Sequence, residues 1–177
     1  ETLGGTTVIV DDATDVENLH RQVRRHGLHI LELVPAVLKY LVEFARSLPA
    51  AERGLPSLRW AMVTGESASA ELVNAWLSVY PGIPVVNAYG PTEAADDITQ
   101  AVIRAPLPAN QVTVPIGRPL ANVDIYLLDE RLEPVPIGAP GEICVAGIGV
   151  GDGYWKQPDK TAAAFVPNPF PGAAGPT

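Results

Sequence analysis

The spacing of apolar positions along the chain changes period several times, and each change predicts an element. Thr7–Val10 is a β-branched run that predicts a buried strand. Thr14-Asp-Val-Glu17 has the form of a capping box, with Glu17 three residues after Thr14. Val16, Leu19, His20 and Val23 then follow helical spacing, with Arg21, Arg24 and Arg25 outside and Gly27 as a stop. Leu28–Val34 predicts the next strand. Pro35 suits a first helical position, and Val37, Leu38, Leu41, Phe44 and Ala45 form an apolar face to about Arg46. Leu48–Pro56 reads as a connector, Leu58–Val63 as a strand and Gly65-Glu-Ser-Ala-Ser69 as a tight loop. Leu72, Val73, Trp76, Leu77 and Tyr80 make another helical stripe. Val85–Ala88 reads as a strand running into Tyr89-Gly-Pro-Thr-Glu93.

An alternation of strands and helices predicts an α/β fold, a mainly parallel sheet flanked by helices. Right-handed crossovers would bring the loops after Val34, Val63 and Ala88 to one sheet edge, where open α/β sheets bind ligands. From about Ala105 the pattern shifts. Val123–Leu128 and Pro140–Ala146, with a turn at Asp129-Glu130, predict antiparallel strands. Of 18 prolines, six lie in residues 1–100 and twelve in 101–177, so the second part cannot hold long helices. Residues 1–108 are therefore expected to form the α/β subdomain, and 109–177 an incomplete, Pro/Gly-rich β lobe. The tail from Pro158 to Thr177 shows no obvious element.

Charge and composition narrow the function. Twenty acids against twelve bases give −8, which argues against a nucleic-acid binder. No run of about 18 apolar residues exists, so no membrane-spanning helix is expected, and no secretory pattern is seen; a cytoplasmic location follows as the expectation. A lone Cys144 cannot form an internal disulfide and suits a small buried apolar position. His20, His26 and His29, with Cys144 distant, give no zinc spacing. Gly147-x-Gly149-x-Gly151 lacks the helix a dinucleotide fingerprint needs, and no Walker loop is present. Trp60 and Trp76 read as core; Trp155 suits either core or a lobe contact.

The most chemically specific stretch is Asn87-Ala-Tyr-Gly-Pro-Thr-Glu93. Tyr89 offers a flat face for a base, Thr92 a hydroxyl for phosphate, and Glu93 a hard carboxylate for Mg²⁺. An ordinary strand-to-loop turn with a surface Tyr and Glu fits the same residues. Gly65-Glu-Ser67-Ala-Ser69 is near a nucleophile elbow, but its fifth residue is Ser and all three histidines precede Ser67. A truncated α/β-hydrolase is thus a minor alternative.

That stretch resembles a core motif of the adenylate-forming enzymes, in the form carried by adenylation domains of nonribosomal peptide synthetases. Gly141-Glu-Ile-Cys-Val-Ala-Gly-Ile-Gly-Val-Gly-Asp-Gly-Tyr154 resembles a second motif of that family, about fifty residues on. Leu58–Ser69 and Ile116-Gly-Arg-Pro119 are similar to intervening steps, so the resemblance covers nearly the whole chain. It implies the large N-terminal domain of an enzyme that joins an amino-acid carboxylate to ATP, releases pyrophosphate, and loads the phosphopantetheine thiol of a carrier domain beside neighbouring synthetase modules. It further implies that Tyr89 stacks on adenine and that Gly65, Glu66, Asn87, Ala88 and Gly90 border the nucleotide. Thr92 and Glu93 become the catalytic pair, Thr92 on phosphate and Glu93 on Mg²⁺. The family's phosphate loop, ribose aspartate and lysine-bearing C-terminal domain are absent, and the chain begins at Glu1 rather than Met. An internal piece that does not adenylate by itself is expected.

Matched motif to motif, the positions that would line the amino-acid pocket are Glu32, Met62, Thr64, Ala88, Asp96 and Asp97. Three carboxylates in one pocket need a compensating cation, so a basic substrate such as ornithine, arginine or lysine is expected. The competing reading has Asp96 and Asp97 as solvated loop acids and Glu32 paired to an arginine. Thr64 stands where Gly or Ala is common in the family, and Asp152 where Arg is common. An acyl-CoA ligase is the nearest alternative enzyme, and a non-catalytic nucleotide-binding scaffold the alternative outside enzymes.

Overall fold

Asp15 starts the first helix. In the computed structural model, which describes residues 4–170, its carboxylate accepts the Asn18 N–H at 2.9 Å, and α1 runs Val16–His26. Thr14 is not the cap; its hydroxyl donates to Asp12 Oδ1 at 2.6 Å. Leu19, His20 and Val23 are buried along one face, and Gly27 closes the helix at φ 60°. The strand expected at Thr7–Val10 does not form. No partner pairs with it among the described residues, and Ile9 is 87% exposed. A β-branched run stabilises a strand only through neighbours to pack against.

Strand β1 (Ile30–Leu33) leads into α2 (Pro35–Ser47), with Pro35 in its first turn. The expected connector contains a helical turn, α3 (Ala50–Arg53). Arg53 reaches back to the C-terminal end of α2, donating to the carbonyls of Ala45 at 2.8 Å and Leu48 at 3.0 Å. These are acceptors a helix end leaves unpaired. Strand β2 (Trp60–Val63) precedes α4 (Ala70–Val79), capped by Ser69, whose hydroxyl accepts the Leu72 N–H at 3.1 Å. Strand β3 spans Val85–Tyr89.

Strands β1, β2 and β3 pair in parallel, with Leu31 beside Ala61, Ala61 beside Val85, and Val63 beside Leu33 and Asn87. Strand alternation makes this row the core face. Leu31, Ala61, Val63 and Val85 of this row are buried with Leu38, Leu41, Val73 and Trp76 from the helices. Trp76 is fully buried and its indole N–H donates to Ile83 O at 2.9 Å. Trp60 departs from the sequence expectation. It stands on the opposite face, half-buried, with the Arg104 guanidinium 5.0 Å from its ring centroid.

Two further strands follow, β4 at Thr99–Ile103 and β5 at Arg118–Pro119. The chain divides into two compact units, 1–87 with 101–115, and 88–100 with 116–177. The parallel strands, as far as Asn87, and their helices belong to the first. Within the second, Thr99 and Gln100 pair antiparallel with Pro119 and Arg118. There β6 (Val123–Leu128) also pairs antiparallel with β7 (Glu142–Gly147), Tyr126 opposite Cys144. The tail forms a helix, α5 (Pro158–Ala164), started by Pro158. Trp155, placed by the sequence in a core or lobe contact, is 84% exposed. Residues 171–177 lie outside the described residues. Among those described, no helix is long and apolar enough to cross a membrane.

Candidate functional site

The residues singled out in the sequence fall in both units. In the first they stand at the carboxyl ends of β1, β2 and β3. Glu32 is beside Met62, and Met62 beside Val86, so Glu32 and Met62 share the sheet face turned away from the helical core. Glu32 is exposed and Met62 half-buried. Thr64 follows two residues on, its N–H donating to Leu33 O at 3.3 Å. Gly65 turns the chain at φ 81°, leaving Glu66 and Ser67 exposed before the Ser69 cap. Asn87 is buried, and its amide donates to Pro115 O at 2.9 Å. That side chain therefore tethers the strand end, a role its sequence did not suggest.

In the second unit the chain leaves β3 through buried Ala88 and through Tyr89, which is 38% exposed. Ile98 N–H donates to Tyr89 O at 2.8 Å and closes a loop over residues 90–97. Gly90 permits the closure, since a Cβ there would lie 1.9 Å from Asp96 O. Thr92–Ala94 forms a single 3₁₀ turn, with Ala94 N–H donating to Pro91 O at 2.9 Å. Ala95 and Asp96 then take left-handed conformations. Thr92 and Asp96 are exposed, and Glu93 and Asp97 half-buried. Among non-glycine residues, short polar side chains such as that of Asp96 tolerate the left-handed conformation best.

Glu93 is held by the second motif. Gly151 N–H donates to Glu93 O at 2.8 Å, and the Tyr154 hydroxyl donates to Glu93 Oε1. The Tyr154 bond, then the main-chain N–H of Glu93 itself, keep the Glu93 carboxyl below the usual range. Lys160 acts in the same sense, and desolvation opposes it. The same bond to Glu93 raises the Tyr154 hydroxyl, with desolvation and the Glu93 charge adding to it. Thr161 Oγ1 accepts the Tyr154 N–H at 2.9 Å, and Lys160 Nζ lies 4.8 Å from the Tyr154 ring centroid. The sequence carried no sign that Tyr154, held by Thr161, reaches Glu93. The alternating glycines, whose backbone can approach another chain segment, were the one available hint.

Glu93, Tyr154, Tyr126, Cys144 and Phe170 all border a cavity of about 630 Å³ within this unit. Burial and the nearby Glu142 charge push the Cys144 thiol up, which suits an inert apolar role. Among the described residues, no group of three or more His, Cys, Asp or Glu could hold a metal by itself. One ionised carboxylate beside an exposed threonine hydroxyl suits Mg²⁺, which takes one or two carboxylates and completes its shell with phosphate oxygens and water.

Residues 2–155 match the AMP-binding enzyme family. Tyrocidine synthase 1 of Brevibacillus parabrevis is 41% identical over 159 residues, 88% of this chain and 13% of that protein. Chondramide synthase cmdD of Chondromyces crocatus is 40% identical over 163 residues, 86% of this chain and 4% of that protein. The chain thus spans a small part of the relatives it matches. Among solved structures, the nonribosomal peptide synthetase FmoA3 bound to α-methyl-L-serine-AMP aligns with a TM-score of 0.80 at 32% identity. That alignment covers 88% of this chain and 17% of that one. The Klebsiella oxytoca NpsA N-terminal subdomain, in complex with 3-hydroxybenzoyl-AMSN, aligns at 0.74 and 27%, covering 89% and 38%.

Proposed function

The chain belongs to the AMP-binding enzyme family, and on that premise we propose that it is part of an ATP-dependent amino-acid-adenylating domain of a peptide synthetase. The reading rests above all on the Glu93 site, where an ordered turn and a second motif fix one carboxylate. In the reaction, an amino-acid carboxylate oxygen attacks the α-phosphorus of ATP and pyrophosphate leaves. A carrier-domain phosphopantetheine thiol then attacks the aminoacyl carbonyl and AMP leaves. Such chemistry needs positioning and charge compensation more than a protein nucleophile.

Each residue has a part. Tyr89, partly exposed, stacks on adenine. The backbone at Gly65, Glu66, Asn87, Ala88 and Gly90 borders the base, and the Thr92 hydroxyl meets phosphate. Glu93 would hold Mg²⁺, which when bound supplies positive charge to the phosphate oxygens. The working division is 1–108 for the nucleotide and side-chain loops and 109–177 for the β lobe. The 177 residues carry no phosphate loop, so alone they should not adenylate.

The substrate is a basic amino acid. Glu32, Met62, Thr64, Ala88, Asp96 and Asp97 line its pocket in this reading, which is supported by the shared face of Glu32 and Met62. An acidic lining complements a cationic side chain better than the apolar tail of an acyl-CoA ligase substrate. Carrier loading tests the function. The full-length protein, given ATP, Mg²⁺ and ornithine, arginine or lysine, should carry a thioester-linked basic amino acid on its phosphopantetheine by mass spectrometry. Transfer of an acyl chain to free coenzyme A would sink the reading.

A further inference from the structure

Glu93 sits on a weakly supported element. The 3₁₀ turn is three residues long and runs directly into the left-handed pair Ala95 and Asp96. A glutamate there has three rotatable bonds, and ordering it costs side-chain entropy. Yet both ends of Glu93 are held, by Gly151 at its carbonyl and by Tyr154 at its carboxylate, 61 residues away in sequence. Tyr154 is itself locked. Thr161 Oγ1 accepts its N–H, and the Phe165 ring meets its ring edge-on with centroids 5.7 Å apart. Gly153 admits this arrangement, because a Cβ there would lie 2.3 Å from Thr161 Cγ2. Helix α5 thus fixes the tyrosine, and the tyrosine fixes the carboxylate.

We propose that Tyr154 is a positioning residue that orients the Glu93 carboxylate for a phosphate-bound divalent cation. This rests on the reading of Glu93 as the cation's protein ligand. Tyr154 does not touch nucleotide or metal; it removes the rotamer freedom that Glu93 would otherwise lose on binding. Removing the hydroxyl should therefore weaken coupling between the cation and the nucleotide and leave metal-free nucleotide binding alone.

The test is ATP binding by the full-length protein, measured calorimetrically across a Mg²⁺ series and in EDTA. Tyr154→Phe should raise the half-saturating Mg²⁺ concentration about 10- to 100-fold, the usual worth of one hydrogen bond to a charged group, with ATP affinity in EDTA unchanged. Glu93→Gln should abolish the Mg²⁺ dependence, and adding Tyr154→Phe to it should change nothing further. Thr161→Val should shift the Mg²⁺ requirement in the same sense as Tyr154→Phe, and Thr161→Ser should restore it, which keeps the test open if Tyr154→Phe folds poorly. Equal losses of ATP affinity with and without Mg²⁺, or independent effects of the Glu93 and Tyr154 substitutions, would overturn the proposal. An unaltered Mg²⁺ dependence in Glu93→Gln would overturn the underlying assignment of Glu93, and this proposal with it.

Discussion

Replacing Gly90 with alanine puts one methyl group into the tightest backbone approach near the candidate site. The added Cβ would lie 1.9 Å from Asp96 O, 2.7 Å from Ile98 N and 2.8 Å from the Asp96 carbonyl carbon. Carbon–oxygen contacts settle at about 3.3–3.6 Å, so the Asp96 carbonyl would have to retreat about 1.5 Å. All three obstructing atoms are main chain, so no rotamer change relieves the clash. The bond from Ile98 N–H to Tyr89 O, 2.8 Å long, closes the same loop and must yield with it. Overpacking of this kind costs about 1–3 kcal/mol. Function should suffer more, because Thr92 and Glu93 ride on the displaced turn, and a misplacement of about 1 Å can cost about a hundredfold in rate. In ATP–pyrophosphate exchange by the full-length protein, Gly90→Ala should lower kcat/KM by about that factor while the protein stays folded. Gly54→Ala, where a Cβ meets nothing within 4 Å, should be silent. Wild-type kcat/KM in Gly90→Ala would refute the closed loop as the support of the site.

Asp97→Asn should reduce discrimination between basic and neutral amino acids in an exchange panel; unchanged preference would remove Asp97 from the pocket. Trp76→Ala deletes a fully buried ring and its bond to Ile83 O, a loss of about 3–5 kcal/mol. Backbone amides of β2 and β3 should then exchange at least about a hundredfold faster. Desolvation pushes the Tyr80 hydroxyl up to about 12 from 10.0, against a smaller opposing pull from Arg53. The folded state thus favours neutral Tyr80, whose stabilisation is complete below pH 10 and lost as pH rises towards 12. Tyr80→Phe should lose less stability than wild type across that window in alkaline unfolding, and matching profiles would contradict this origin.

Periodicity located the elements whose packing lies within their own span. The stripes of α1 and α4, Pro35 at the start of α2, and the β6–β7 pair all form as expected. It failed where the decision is made elsewhere in the chain. Thr7–Val10 has strand propensity and no partner among the described residues. Strand β5 is a dipeptide defined only by its pairing with β4, and α5 hides in a Pro-rich tail because its proline starts the helix. The site divides in the same way. Both motifs were legible as strings of residues, since the spacing of Tyr89, Thr92 and Glu93 is local. The bond between Glu93 and Tyr154 was not, because a contact across 61 residues leaves no periodic trace. Nor did the sequence reveal that the Asn87 amide holds Pro115.

Amino-acid adenylation directed by a carboxylate-lined pocket is the activity proposed for the full-length protein. Its most direct measurement is ATP–pyrophosphate exchange by the full-length protein, with each amino acid and ornithine supplied singly. Mg²⁺-dependent exchange should be strongest with ornithine, arginine or lysine and weak with acidic and aromatic substrates. Strongest exchange with an acidic or aromatic amino acid would contradict the pocket, and no exchange with any amino acid would contradict the adenylating function itself.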